Sequence, residues 1–171
     1  MSPRPATVRV PDPVPATPAD VEAVVARLGR APQADFEVIV RTGAGDPVVL
    51  RNAPLLRDGT PMPTRYWLVD PELNRLVGAV EAAGGVRAAD AAIAPDVIAA
   101  VHAAYAAERD AALPTGHGGP RPSGGVGGTR RGVKCLHAHY ANLLAGADDP
   151  VGAWTEAAIV ALEPPVAEEH P

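Results

Sequence analysis

The stretch GVKCLHAHY, residues 132–140, contains the chain's single cysteine, Cys135, its single lysine, Lys134, and two of its five histidines, His137 and His139. A thiol, two imidazoles and an ammonium set so close together could ligate a metal, generate a thiolate nucleophile, or recognise an anion. Conformation decides among these. On a helix each residue turns by about 100°, so Val133, Leu136, His137, Tyr140, Leu143 and Leu144 share a broad apolar face. Cys135 and His139, four apart, are then neighbours on the opposite side, with Asn142 extending that face. The helix therefore directs His137 inward and separates it from Cys135 and His139, so Cys-x-His-x-His cannot close on one ion while the segment stays coiled.

Cys135 and His139 are the catalytic candidates. Cys135 falls in the first turn of this helix, beside Lys134 and behind Arg130 and Arg131, all of which favour the thiolate, and His139 is placed to act as its base or ion-pair partner. The same pair supplies only two of the ligands a zinc ion needs, with no second pair visible, so no metal or cofactor is assigned. A buried thiol packed beside a hydrogen-bonded histidine accounts for the same residues without any chemistry.

The helix start is also an expected anion site. Unpaired backbone N–H groups after GGTRRG, flanked by Arg130, Arg131 and Lys134, could hold a phosphate or carboxylate. It is not a P-loop: Gly127 and Gly132 have the right separation, but Val133 stands where the lysine belongs and no Ser or Thr follows Lys134. A second locus is DGTPMPTRYW, residues 58–67, whose prolines stiffen a loop presenting Asp58, Thr60, Thr64 and Arg65 as ligand-binding candidates at a pocket rim. His102 and Tyr105, one helical turn apart, fit either ligand contact or the edge of a core.

The elements that must position these residues can be read from caps and periodicity. Five prolines by residue 15 make residues 1–16 an expected mobile arm. Thr17 and Pro18 open a helix with Val21, Val24, Val25 and Leu28 on one face and Gly29 as its stop. DFEVIVR and PVVLR, joined by GAGD, read as a hairpin, and RYWLV as a third strand. Asp70 and Pro71 start a helix carrying Leu73, Leu76, Val77 and Val80 up to Gly84-Gly85; another follows Pro95 with Val97, Ile98, Val101 and Tyr105 inward. Residues 114–132 hold too much glycine and proline for regular structure and read as a flexible lid or linker. A helix over 133–144 and a last one from Asp149-Pro150 toward Leu162 follow, before a frayed tail at 163–171.

Composition bounds the class. In 171 residues, 47% are hydrophobic but only 4% aromatic, so the core must come from Val, Leu, Ile and close packing of alanine-rich helices. A net charge of −5 without a basic stripe excludes a nucleic-acid footprint. No apolar run is long enough to span a bilayer, and no secretory h-region opens the chain, so a cytoplasmic protein is expected.

LGRAP, NAPLLRDGTPMPTRYWLVDPEL and RGVKCLHAHYANLLAGADDPVG together resemble the uncharacterised bacterial family known as domain of unknown function 501. The resemblance implies no established activity. The family's genes often neighbour those for a septum-forming coiled-coil protein and an exopolyphosphatase in actinobacteria, which implies a role beside cell division or phosphate metabolism. Many members carry cysteine where this chain has Thr42 and Ala44, and some near Asp70. Cys135 therefore lacks the thiolate companions a zinc site would use, with Asp70 a substitute oxygen ligand whose helix-cap role competes.

The expectation is an α+β fold, a single domain in which a three-stranded antiparallel meander is covered on one face by about five helices. The first functional expectation is a binding or adaptor module taking a small anion or a protein partner between the 58–66 loop and the Lys134 helix start. The second is a thiol- or metal-dependent enzyme using Cys135 and His139.

Overall fold

Local sequence chemistry places most of the elements. Helix α1 (Pro18–Leu28) is opened by Thr17, whose hydroxyl accepts from the Asp20 N–H while the Asp20 carboxylate accepts from the Thr17 N–H, and it is closed by Gly29 in the left-handed conformation at φ 70°. Asp70 caps α2 (Pro71–Ala82) through the Leu73 N–H at 2.9 Å, so its side chain is spent on the helix as its position dictates. The computed structural model describes residues 7–10, 12 and 14–162. Of the mobile arm expected over residues 1–16, residues 1–6, 11 and 13 lie outside the described residues, as does the frayed tail expected at 163–171.

The α+β class stands, with two corrections of count. Strands β1 (Thr7–Arg9), β2 (Phe36–Thr42), β3 (Pro47–Asn52) and β4 (Tyr66–Leu68) form one antiparallel sheet in that order, four strands rather than three. The extra strand lies inside the proline-rich start. Proline forbids donation only at its own position, and TVRV, residues 7–10, carries none, so this stretch adds to the sheet edge with Val10 N–H bonded to Ile39 O. Among the described residues there are six helices, not five: α1, α2, α3 (Gly85–Ala92), α4 (Pro95–Ala111), α5 (Leu136–Leu144) and α6 (Pro150–Leu162). Gly84-Gly85 ends α2 as expected, but the alanine-rich GVRAADAA coils again immediately. Gly85 sits so close to the Val80 carbonyl that an added Cβ would lie 2.6 Å from its oxygen.

The sheet is also covered on both faces rather than one. Val24 of α1 packs with Phe36, Val38, Leu50 and Val69 on one side, while Ile39, Val40, Val49, Tyr66 and Leu68 join the other helices in the main core. A bulge in the β2–β3 ladder at Ile39 contributes to this division: Val38 pairs with Leu50 and Val40 with Val49, so the extra residue shifts the pleat and sends Val38 and Val40, which an unbroken strand would keep on one face, to opposite sides.

Helix α4 braces what surrounds the site. The Tyr105 hydroxyl oxygen accepts from the Arg65 N–H at 2.6 Å, fixing the start of β4. His102 accepts from the Val126 N–H through Nδ1 and donates from Nε2 to the Gly132 carbonyl. The buried Arg109 donates to the carbonyls of Pro63 and Gly124. Through these bonds the 58–66 segment and the glycine-rich connector, irregular apart from a 3-10 turn at Val126–Gly128, are tied to one helix. His102 and Tyr105 are core braces of the fold.

Candidate functional site

Helix α5 begins at Leu136, three residues later than periodicity suggests, and this changes the chemistry of the whole stretch. Cys135 is extended at φ −147° and ψ 115°, and the Val133 N–H is held by the Asp90 carboxylate at 2.8 Å. The first helical N–H, on Leu136, donates at 2.7 Å to Glu81 Oε1 from the last turn of α2. A carboxylate from the chain itself thus occupies the place where an external anion was expected, satisfying a donor that a helix start leaves unpaired.

Because Cys135 lies outside the helix, the expected pairing is reversed. The sulfur of Cys135, a ring nitrogen of His137 and a carboxylate oxygen of Glu81 all lie within 4.8 Å of one another, each residue half-buried. His137 was expected to point into the core; instead its Nε2 donates to the Asn74 carbonyl at 3.1 Å, and its Nδ1 lies 3.2 Å from Glu81 Oε1. The neighbouring Cys135 sulfur, with the Asn74 carbonyl and the Glu81 charge adding to it and burial opposing, pushes the imidazole pKa up to about 9.

His139, expected on the outer face with Cys135, is fully buried. Its Nδ1 meets the Asp149 carboxylate at 2.9 and 3.0 Å, and the same carboxylate accepts from Asn142 Nδ2 and from the Gly152 N–H, each at 2.9 Å. The Cys135/His139 couple is thereby corrected: among the described residues His139 Nε2 has no hydrogen-bond partner, the Cys135 sulfur included. The error is one of phase, since an i, i+4 argument holds only where both residues are helical.

Cys135 and His137 line a cavity of about 300 Å³ whose other walls include Thr64, Tyr66, Trp67, Asn74 and Gly127. The two loci singled out in the sequence therefore do meet, but through Thr64 alone of the loop candidates. Asp58 and Thr60 sit exposed at the loop tip, where Asp58 Oδ1 accepts from the Thr60 N–H at 2.9 Å, a turn interaction that lowers the carboxyl pKa. Arg65 is buried and directed elsewhere, its guanidinium on Glu108 and the Asn52 carbonyl. Arg130, Arg131 and Lys134 are exposed and line no part of this cavity; Arg130 faces a shallow depression beside α4.

Glu81 and Asn74 were missed. They stand seven apart on α2, two helical turns, on a polar stripe flanking the Leu73, Leu76, Val77 and Val80 core stripe. That spacing was legible, but its alignment with Cys135 was not.

The arrangement offers sulfur, nitrogen and oxygen donors around one point, open on one side to a cavity. It can work as a thiol–imidazole–carboxylate relay or as the partial shell of a cation. No helix among the described residues is long and apolar enough to cross a membrane. No curated protein and no solved structure matches the chain. Residues 38–157, the span that includes β4, α2 and the Cys135–His137 segment, match the model of the family described as "Protein of unknown function (DUF501)", and the chain belongs to that family.

Proposed function

We propose that the domain binds a small polar ligand in the cavity between Thr64, β4 and the start of α5, with Cys135 and His137 as the side chains that meet it. One observation carries this reading: two segments far apart in sequence, one ending the 58–66 loop and one opening α5, wall the same cavity and bring a thiol and an imidazole to it. Selection of an anion by the helix terminus is not part of the proposal, because Glu81 already holds the Leu136 N–H. Asp58, Thr60, Arg65, Arg130, Arg131 and Lys134 drop out as contacts for the same geometric reasons. A free thiol at a ligand site suits a reducing, cytoplasmic setting.

Amide spectra of the labelled protein, recorded with a library of small polar fragments, test this. Shifts clustered at Thr64, Tyr66, Gly127 and His137 are the expected result. Absence of any fragment that perturbs those four residues together sinks it.

A second reading, thiol-dependent catalysis, is favoured by a specific feature: His137 stands beside the Cys135 sulfur and is held from behind, through Nε2, by the Asn74 carbonyl, the order of nucleophile, base and orienting group. His137 replaces His139 in that role. The alkylation rate of Cys135 is expected to fall about tenfold in His137→Ala; equal rates in the two proteins remove the reading.

A further inference from the structure

We propose that Glu81, Cys135 and His137 form a binding site for a divalent transition-metal ion of the zinc type, with a fourth position facing the cavity; for that fourth position the inference rests on the ligand-binding reading above. The donors come from three separately positioned pieces of backbone: the last turn of α2, the extended residue before α5, and the first turn of α5. A tetrahedral ion with bonds of about 2.0–2.3 Å holds its ligand atoms roughly 3.3–3.8 Å apart. The Nδ1 to Oε1 separation is already 3.2 Å, and all three ligand atoms fall within 4.8 Å of one another, so only a small closing movement brings them onto one centre.

The chemistry of the set selects the ion. Thiolate, imidazole and carboxylate together suit zinc and its neighbours, whereas calcium and magnesium require oxygen shells. The supporting contacts are in place as well. His137 spends Nε2–H on the Asn74 carbonyl, which leaves Nδ1 to face the ion, and Glu81 is aimed by the Leu136 N–H; metal-bound histidines and carboxylates are held by just such partners. Thiolate and carboxylate together balance the two charges of the ion. With three protein ligands the shell is incomplete, and its open side lies where Cys135 and His137 border the cavity, so water or an oxygen donor of a bound molecule takes the last position.

Titration of the full chain with Co²⁺, the spectroscopic stand-in for Zn²⁺, decides the matter. The expected result is one equivalent bound, with a thiolate-to-cobalt charge-transfer band and the intense visible bands of a four-coordinate ion, all displaced by Zn²⁺. Cys135→Ser should abolish the charge-transfer band, and His137→Ala and Glu81→Gln should each weaken binding tenfold or more while circular dichroism stays unchanged. His117→Ala, in the exposed connector, should leave the titration as it was. Absence of the charge-transfer band, or affinities in His137→Ala and Glu81→Gln equal to the parent, overturns the site. Fragment shifts at Thr64 and Gly127 without a cobalt spectrum would sink the metal and keep the cavity reading; a cobalt spectrum without fragment binding would do the reverse.

Discussion

Two helix junctions in this protein are built from the same parts and put to different use. Where α2 meets α5, Glu81 accepts from a helix-opening N–H and stands 3.2 Å from an imidazole nitrogen, that of His137; where α5 meets α6, Asp149 accepts from the Gly152 N–H near the start of α6 and from another imidazole, His139. The first junction is half-buried, carries a thiol and opens on a cavity. The second is sealed: His139 is 0% and Asp149 1% exposed, and Asn142 completes the ring of bonds. A carboxylate–imidazole pair therefore does not by itself mark a functional site. Access and a third reactive group are what the first junction adds.

Substitutions can break this contrast, and the largest effect belongs to the sealed junction. Asp149→Ala strips partners from His139, Asn142 and the Gly152 N–H at once, and should lower stability in urea denaturation by about 3–5 kcal/mol. A loss near that of a surface change would mean that Asp149 does not lock α5 to α6.

A carboxylate outside both junctions supplies an acid-side calibration. The Arg41 guanidinium bonded to Asp20, helped by the Thr17 cap and opposed by burial, lowers its pKa from 3.8 to about 2. Since the folded value is depressed, the stabilisation is present above pH 3.8 and disappears as pH falls through about 2. Asp20→Asn should cost about 2 kcal/mol at neutral pH and flatten that part of the stability–pH curve. A curve with unchanged slope between pH 2 and 4 would contradict the pair.

Glu81→Ala, the counterpart of the Asp149 change, should cost only about 1–2 kcal/mol, because it removes one cap and one half-exposed partner. Its ratio to Asp149→Ala measures the difference between the junctions directly, and equal losses would erase it. Lys134→Ala and Arg130→Ala, exposed and outside the cavity, should stay within about 0.5 kcal/mol of the parent in the same assay.

Much of the frame was readable along the chain, for a reason the individual residues make plain. Thr17 with Asp20, Gly29, and Asp70 with Leu73 act over three or four positions, within the reach of one helical turn, so residue type and spacing suffice. The strands β2, β3 and β4 announced themselves by β-branched and aromatic runs. The fourth strand did not, because its three residues owe their conformation to β2 beside them rather than to their own preference. Helix α3 was hidden behind the two glycines that correctly ended α2. The candidate site is half legible: Thr64, Cys135 and the reactive character of 132–140 stand in the sequence, while helical periodicity pairs Cys135 with His139 and the structure sets it beside His137.

By itself the sequence determined the caps, the α+β class, and the reactive groups available. Only the tertiary structure decided which of them work together. Glu81 lies 55 residues from the Leu136 N–H that it holds, and that long-range bond accompanies the late start of α5 which turns Cys135 toward His137. A side chain's direction changes by about 100° for each residue by which a helix boundary moves, and no local pattern fixes a boundary set by a partner on another helix.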